Sequence, residues 1–223
     1  MNGRDPTGHD ITKNDAIELS EDVYKDEGQA PDGFEIVSEQ QRNKLGLGDS
    51  IFEGPETGFR ARLYRNKKTG EYTLAFAGST GPLSGPDWRA NAAELMGLSA
   101  QHSQAVRLAR IVSEVVSKQG VDLSFTGHSL GGGLAEAAAG SVSLPAHRQA
   151  VVFNSPGLSF LTNLRTAQHI IAPLDIANYE VTGDILTLAR EAAGLLSPKR
   201  YFSSIYTTRL MGMPQGSSIN PFY

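Results

Sequence analysis

Apolar and polar residues alternate with two different periods along the chain, and the changes of period outline its secondary structure. Residues 59–65 alternate with a period of two, and residues 72–77 form a mostly apolar run after the polar turn at 66–70. A period of two is typical of a half-buried strand, so these two segments predict a β-hairpin. Further strands are predicted at 121–126, 149–153 and 176–181.

Helices are predicted between and before these strands. From Gln104 to Lys118, apolar residues recur every three or four positions and lie on one helical face. Leu134–Ala139 is a second helical segment and consists of small residues. Two more helices are predicted, one after the strand at 149–153, through about residue 169, and one at 186–196. A short helix near the start would be capped by Asn14, with Ile17, Leu19 and Val23 turned inward.

Strands that alternate with helices predict an α/β fold with a mainly parallel central sheet, opened by the antiparallel N-terminal hairpin. The 223 residues suit one domain, which we place at 14–223 after a polar leader or linker at 1–13. Residues 26–57 contain Gly, Pro and many polar residues, which predicts loops with one short element. Residues 197–223 form a polar tail in which no closing element is predicted.

Composition excludes several classes of function. The chain carries 20 Lys and Arg against 24 Asp and Glu, a net charge of −4 that disfavours a nucleic-acid partner. Since it has no cysteine, disulfides, cysteine metal sites and thiol nucleophiles are excluded. No run approaches the ~18 apolar residues of a transmembrane segment, and the N-terminus lacks the apolar core of a signal peptide. We therefore expect secretion without a cleaved signal.

The strongest chemical signal is the sequence Gly127-His-Ser-Leu-Gly131, which lies between a predicted strand and a predicted helix. This is the context that a nucleophile elbow requires. The glycines on either side of Ser129 remove side chains that would clash in the tight turn. The N-terminus of the following helix directs backbone amides at developing negative charge. Ser129 is therefore the predicted nucleophile.

A second segment supplies the candidate oxyanion site. Leu74–Thr80 closes a strand and enters a loop upstream of the elbow. In α/β-hydrolases one oxyanion amide comes from such a loop and the other from the residue after the nucleophile. The backbone amides of Ser79 and Leu130 are therefore the predicted donors.

Asp184 is the predicted acid that orients a histidine. It follows the strand at 176–181, at the carboxyl end where such sites lie, and it comes after the serine in sequence. Asp175 is the competing carboxylate, but it precedes that strand. A loop-capping role for Asp184 is the other interpretation.

The histidine that would act as the base is the missing element. All five histidines precede Asp184, whereas the expected order places the base after the acid. His169 is the candidate base, and a structural role at a helix end is its other interpretation. The remaining four are disfavoured because of their predicted positions: in polar segments for His9 and His147, at the opening of a helix for His102, and pointing away from the elbow for His128.

Several blocks along residues 57–190 occur in a characteristic order. They are Phe76-Ala-Gly-Ser79, Asp87-Trp-Arg-Ala-Asn91, the GHSLGGGLA segment at 127–135, Val152-Phe-Asn-Ser-Pro-Gly157 and Val181-Thr-Gly-Asp184. In this order they resemble class 3 (fungal-type) lipases, in particular the bacterial branch of antibacterial lipase effectors.

The resemblance implies an α/β-hydrolase fold and a Ser-His-Asp mechanism, with Ser129 as nucleophile, Asp184 as acid and the amides of Ser79 and Leu130 as oxyanion donors. It also implies a lipid or phospholipid substrate at a membrane surface. No metal ion or organic cofactor is implied.

The resemblance fails at the histidine, which in that family comes well after the aspartate, whereas only 39 residues follow Asp184 here. Three interpretations stay open. The sequence is a fragment that ends before the histidine, or His169 or another histidine completes the site, or the domain is a degenerate lipase that binds without cleaving.

The start of the chain carries a second resemblance. Asp5-Pro-Thr-Gly8 resembles the D-P-x-G junction that ends the core of Rhs-type polymorphic toxins, in which a toxic domain follows directly. This implies a toxin delivered into a target cell by a type VI or similar secretion system, with a cognate immunity protein as partner. A disordered polar leader is the other interpretation.

The sequence thus predicts a serine carboxylic-ester hydrolase that acts on lipids, as a phospholipase-type antibacterial toxin domain. Two alternatives from other classes remain. One is an esterase, acyltransferase or peptidase that acts on soluble substrates. The other is a non-catalytic interaction domain.

Overall fold

The computed structural model describes residues 11–78, 92–142, 148–155, 175–181 and 204–210. The strands in these ranges are β1 (Phe34–Ile36), β2 (Glu53–Gly54), β3 (Phe59–Asn66), β4 (Tyr72–Phe76), β5 (Leu123–His128), β6 (Arg148–Phe153), β7 (Asp175–Val181) and β8 (Ser204–Leu210). The helices are α1 (Lys13–Asp22), α2 (Glu39–Lys44), α3 (Ala92–Gln119) and α4 (Leu130–Ser141), and a 3₁₀ turn covers Asp49–Ile51.

The strands form one mixed sheet in the order β1-β3-β4-β5-β6-β7-β8, with the short β2 paired to β3. β1 and β4 run antiparallel to β3, whereas the strands from β4 to β8 are parallel to one another. The predicted α/β fold, with its mainly parallel sheet and antiparallel N-terminal hairpin, is confirmed. Because β4 to β8 are parallel, their carboxyl ends meet at one edge of the sheet, where ligand sites of such folds lie.

Helices cover both faces of this sheet. α3 and α4 pack on one face against a buried apolar cluster that includes Phe76 and Phe125. α1 covers the opposite face, where Leu19 joins Val151 in a second cluster. The strand-to-helix turn that leads into α4 therefore lies between two separately packed layers.

The N-terminal helix starts at a different cap from the predicted one. Thr12 has the extended backbone of an N-cap, and its hydroxyl accepts the Asp15 N–H at 3.2 Å. Asn14, the predicted cap, lies inside the first turn, so that prediction is wrong. The helix keeps the predicted inner face at Leu19, while Ile17 is only half-buried.

Two predictions about the middle and the end of the chain are also wrong. α3 begins at Ala92 instead of Gln104, because residues 92–103 are rich in Ala, Leu, Met and Glu, which favour helix even without a clear apolar stripe. The tail contains β8, which pairs in parallel with β7. Its threonines made Ser204–Leu210 look polar, although Ile, Tyr and Thr all favour strands.

The segment predicted as loops with one short element holds more structure than expected. β1, α2, the 3₁₀ turn and β2 all lie within residues 26–57. These short elements have identifiable support: β1 and β2 both pair with β3, and Ser38 and Gln41 form a capping box on α2.

Some predicted features fall outside the described residues. They are most of the leader at 1–13, most of the helix predicted after the strand at 149–153 and the helix at 186–196. Within the part of the chain that the structure describes, no helix has both the length and the hydropathy needed to cross a lipid bilayer.

Candidate active site

Ser129 lies at the sharp turn between β5 and α4 and has a strained backbone. Its φ is 56° and its ψ is −127°, a conformation that non-glycine residues rarely adopt. Ser129 occupies the N-cap position of α4, yet its side chain makes no capping hydrogen bond to the helix. A serine at this position usually caps the helix, so here the hydroxyl is not used to stabilise the helix end.

Two glycines allow this turn to form. A Cβ on Gly127 would lie 2.3 Å from the carbonyl oxygen of Gly131, and a Cβ on Gly131 would lie 2.2 Å from that of Phe76. Both contacts are with backbone, which cannot move aside as a flexible side chain can. The predicted role of the glycines on either side of Ser129 is therefore visible as direct backbone-to-backbone packing.

Hydrogen bonds fix the orientation of the elbow. The Ser129 N–H donates to the Phe153 carbonyl at 2.9 Å, and the Ser129 carbonyl accepts the N–H groups of Gly132 and Gly133 at 2.9 and 3.3 Å. Leu130 follows as the first residue of α4, where helix geometry offers its N–H no intrahelical acceptor. Such an amide suits the predicted role of Leu130 as an oxyanion donor.

The described residues reach Gly78, which directly precedes the other predicted oxyanion donor. After β4, the Ala77 N–H donates to the Arg60 carbonyl at 3.0 Å, and the Gly78 N–H donates to the Tyr24 hydroxyl at 2.7 Å. Ser79 itself lies outside the described residues. Gly78 is close to the elbow, since a Cβ on it would lie 3.2 Å from the Gly131 nitrogen.

The two candidate acids leave the sheet at opposite ends of β7. Asp175 is the first residue of β7, so it lies at the edge away from the elbow. The strand ends at Val181, on the edge where β5 reaches Ser129. Asp184 follows Val181 closely in sequence and lies outside the described residues.

Of the five histidines, only His102 and His128 lie in the described ranges. His102 is in the interior of α3, which corrects the prediction that it opens a helix. It is 5% exposed, burial lowers its pKa, and its Nε2 has no hydrogen-bond partner among the described residues. The His128 Nε2 lies 3.5 Å from the Asn154 Nδ2. His169, like His9 and His147, lies outside the described residues.

Two residues near the elbow were not singled out from the sequence. Asn154 follows β6 with a φ of 47°, and its N–H donates to the Tyr179 carbonyl at 2.9 Å. Asparagine tolerates this left-handed conformation better than most residues, so the Asn-Ser-Pro sequence was a usable signal for a turn. Tyr24, which binds Gly78, gave no such signal, because its contacts depend on residues far away in the chain.

The described ranges contain no group of three or more His, Asp or Glu side chains arranged to hold a metal ion. The chemistry that this arrangement offers is nucleophilic attack by Ser129, at the N-terminus of a helix and at the carboxyl edge of a parallel sheet. The helix N-terminus favours the negative charge that such an attack creates.

Comparisons with known proteins agree with this architecture. A family model described as "Phospholipase-like: Tle-like phospholipase domain" matches residues 15–217. A protein named extracellular phospholipase A1, from Serratia liquefaciens, is 33% identical over 185 residues, which cover 80% of this chain and 54% of that protein. The chain thus spans about half the length of this curated relative.

Two solved structures align with most of this chain, and the first of them supports the fold. A mutant form of MDLA from Penicillium cyclopium aligns over 94% of this chain and 80% of its own, with 16% identity and a TM-score of 0.50. The Lip2 lipase from Yarrowia lipolytica aligns over 78% of this chain and 70% of its own, with 13% identity and a TM-score of 0.46. The fold is α/β-hydrolase-like, as the sequence predicted.

Proposed function

The chain belongs to the family of Tle-like phospholipase domains, and on this premise we propose that it hydrolyses an acyl ester of a phospholipid through Ser129. The observation that carries the proposal is the strained backbone of Ser129 at the carboxyl edge of the sheet. Strain of this kind persists only where the surrounding structure holds it, and it clusters at active sites. The name of the Serratia relative supports a phospholipase A1 reaction.

In the proposed mechanism, the Ser129 hydroxyl attacks the ester carbonyl while a histidine accepts its proton. The amides of Ser79 and Leu130 bind the oxyanion, and each such donor contributes about 3–4 kcal/mol in comparable sites. The histidine then protonates the leaving alkoxide, and Asp184 holds the ring in the correct tautomer. Water, activated by the same histidine, finally releases the acyl group from Ser129.

Within this sequence, His169 is the proposed base. The two described histidines are less suited to the role. The Nε2 of His102 is buried and finds no partner in the part of the chain that the structure describes, and the His128 ring lies against Asn154. A His169→Ala variant that keeps full activity would remove His169 from the mechanism and would leave the Ser129 proposal in place.

We also propose that the phospholipase acts outside the cell that makes it, as an antibacterial toxin. The support is the resemblance to lipase effectors, the Rhs-like sequence at residues 5–8 and the word extracellular in the name of the Serratia relative. Delivery by a type VI or similar secretion system and neutralisation by a cognate immunity protein belong to this proposal. Its test is growth of cells that express the domain in the periplasm or the cytoplasm, with Ser129→Ala as the inactive control.

The experiment that tests the enzymatic proposal is labelling with a fluorophosphonate, read by intact mass. We expect one adduct per chain, none in Ser129→Ala, and normal labelling in Ser141→Ala. Ser141 is a matched control because it ends α4, the helix that Ser129 begins, and its hydroxyl donates to the Ala138 carbonyl at 2.8 Å. A folded chain that takes up no label contradicts the proposal.

The substrate class is tested separately. We expect fatty acid release from phosphatidylcholine vesicles, and a mixed-chain lipid identifies which acyl position is cleaved. Turnover of short p-nitrophenyl esters without any gain on vesicles favours the soluble-substrate esterase instead.

A non-catalytic interaction domain is the second candidate, because every histidine precedes Asp184 in this sequence. A domain of this kind keeps its toxicity or its binding to membranes when Ser129 is replaced by alanine. Loss of toxicity in Ser129→Ala with unchanged folding decides against it.

A further inference from the structure

Tyr24 connects the two backbone segments that precede the proposed catalytic groups. Its hydroxyl accepts the Gly78 N–H at 2.7 Å and donates to the His128 carbonyl at 3.3 Å. Gly78 directly precedes Ser79, and His128 directly precedes Ser129. One phenol therefore binds the residue before the proposed oxyanion donor and the residue before the proposed nucleophile.

The phenol acts at the point where the sheet no longer connects these segments. The register of β4 and β5 runs from the Tyr72–Leu123 pair to the Phe76–Gly127 pair, which is the last of the ladder. Beyond that pair, the first turn of α4 packs against the end of β4, since a Cβ on Gly131 would lie 2.2 Å from the Phe76 carbonyl oxygen. The Tyr24 hydroxyl thus bridges the two strands just past their own hydrogen bonds.

Close packing keeps Gly78 in this position. A Cβ on Gly78 would lie 3.0 Å from the Tyr24 hydroxyl, 3.2 Å from the Gly131 nitrogen and 3.3 Å from the Leu130 Cβ. All three contacts are tighter than most Cβ contacts in proteins. The backbone that leads to Ser79 is therefore enclosed between the phenol and the start of α4.

Two arginines of β3 hold the backbone around Tyr24. Arg60 donates to the Tyr24 carbonyl at 3.0 Å. Arg62 donates to the carbonyls of Asp22 and Lys25 at 2.6 and 2.7 Å. These carbonyls lie at and just beyond the C-terminus of α1, where positive side chains are favourable. Tyr24 is therefore fixed at its backbone as well as at its hydroxyl.

The phenol stays protonated under ordinary conditions. Burial raises the pKa of the Tyr24 hydroxyl above its usual value of 10.0, and the Gly78 N–H offsets part of that rise. The hydroxyl therefore remains able to donate to His128 while it accepts from Gly78.

We infer that Tyr24 is a positioning residue for the oxyanion site, whose hydroxyl fixes the Gly78 backbone, directly before the proposed donor, relative to the turn that carries Ser129. The inference rests on the proposed function, because acyl transfer at Ser129 is what requires this arrangement. Tyr24 acts through backbone groups, so removal of its hydroxyl affects the chemical step more than the binding of the reagent. Misplacement of reacting groups by as little as about 1 Å can cost about 100-fold in rate.

The test compares Tyr24→Phe with Tyr72→Phe. Tyr72 is buried and Tyr24 is half-buried, and each donates one hydrogen bond across the fold, but Tyr72 begins β4 at the opposite edge of the sheet, where it donates to Gln119 at 3.2 Å. The readout is fluorophosphonate inactivation, separated into the maximal rate of labelling and the half-saturating reagent concentration. We expect the maximal rate to fall about tenfold or more in Tyr24→Phe, with half-saturation within about twofold. Tyr72→Phe keeps both values.

Each outcome decides something. If the wild type is labelled at Ser129 and Tyr24→Phe reacts at the same maximal rate, the inference is overturned while the proposed function stands. If the wild type takes up no label, the proposed function fails and the inference fails with it. An equal loss of rate in both tyrosine variants also overturns the inference, because it shows a general effect on stability.

A measurement on the wild type covers the case in which Tyr24→Phe does not fold. Amide hydrogen exchange followed by NMR reports on the Gly78 N–H directly. We expect Gly78 to exchange about tenfold or more slowly than Gly48, whose backbone is exposed. Exchange of Gly78 at the rate of Gly48 shows that the hydrogen bond to Tyr24 is absent and overturns the inference.

Discussion

The two faces of the sheet hold the elbow in different ways. On the α4 face, backbone meets backbone without side chains between them, as where Gly131 packs against Phe76. On the α1 face, side chains make directional hydrogen bonds, as where Tyr24 joins Gly78 to His128. Steric contact sets how closely the turn lies against the sheet, and it leaves no space for an added atom. Hydrogen bonds set the direction of the groups that they join. The stability lost when such a bond is removed depends on the charge that is left without its partner.

The hydrogen bonds of the α1 face include several to a buried carboxylate. The Asp22 side chain is 2% exposed and accepts bonds from the Tyr64 hydroxyl at 2.8 Å, from Arg62 at 3.1 Å and from the Gln29 N–H at 2.7 Å. Its negative charge also raises the pKa of Tyr64, after the larger effect of burial. A charge so enclosed is tolerable only while its partners remain.

The largest effect is expected from Arg62→Met. This change leaves the buried Asp22 carboxylate with only its longer ion pair to the exposed Lys25, at 3.7 Å, and removes the hydrogen bonds of Arg62 to the carbonyls of Asp22 and Lys25. Breaking a buried pair from one side costs about 3–5 kcal/mol, which urea unfolding followed by circular dichroism measures.

Arg65→Met is the matched control for this variant. Arg65 lies on the same strand and pairs with Glu35 at 3.3 Å, but both side chains are substantially exposed, at 44% and 34%. An exposed pair contributes about 0–1 kcal/mol. Equal losses in Arg62→Met and Arg65→Met contradict the claim that the α1 face depends on a buried charge.

A smaller effect on stability is expected from Gly131→Ala on the other face. The new methyl group overlaps the Phe76 carbonyl, so the start of α4 must shift, and overpacking of this kind costs about 1–3 kcal/mol. Because the shift moves Leu130 and Ser129, we expect the rate of fluorophosphonate labelling to fall by more than the loss of folded protein accounts for. Gly48→Ala is the control, since no atom lies within 4 Å of its added Cβ. If Gly131→Ala is as stable and as reactive as Gly48→Ala, the steric description of this face is wrong.

The smallest effect concerns His102, one of the buried polar residues of α3. Burial lowers its pKa from the usual 6.5, so below that pH the unfolded chain binds a proton that the folded chain does not. Stability is therefore lost as the pH falls through about 6.5, by at most about 1.4 kcal/mol per pH unit. His102→Gln should reduce the difference in urea midpoint between pH 7.5 and about pH 5. An unchanged difference in urea midpoint would show that His102 binds a proton as readily in the folded chain as in the unfolded chain.

Much of the sheet could be predicted from the sequence, because the periodicity of 59–65 and the apolar runs at 72–77 and 149–153 are local signals. The elbow could be predicted for the same reason, since Gly127, Ser129 and Gly131 act within five residues of one another. β8 and the first part of α3 were missed where the signal was weak: the threonines of β8 hid its strand character, and the start of α3 has no clear apolar stripe.

The parts of the site that depend on distant residues could not be predicted. Nothing near Tyr24 in the sequence indicates Gly78 or His128, and the same is true of Asp22 and Arg62. The strand order and the parallel register decide which of these residues meet. The assignments of Ser79, Asp184 and His169 remain predictions, since all three lie outside the described residues.

The long sequence separations around Tyr24 have a consequence for folding kinetics. Tyr24 meets His128 across 104 residues, and Thr126 donates to Ala16 across 110. Contacts between residues so far apart form slowly, because a long loop must close before they stabilise anything. On the ribosome, α1 is synthesised before β5 but cannot dock until β5 has emerged. This helix therefore waits for the second half of the sheet, and Ser129, the proposed nucleophile, is positioned only late in folding.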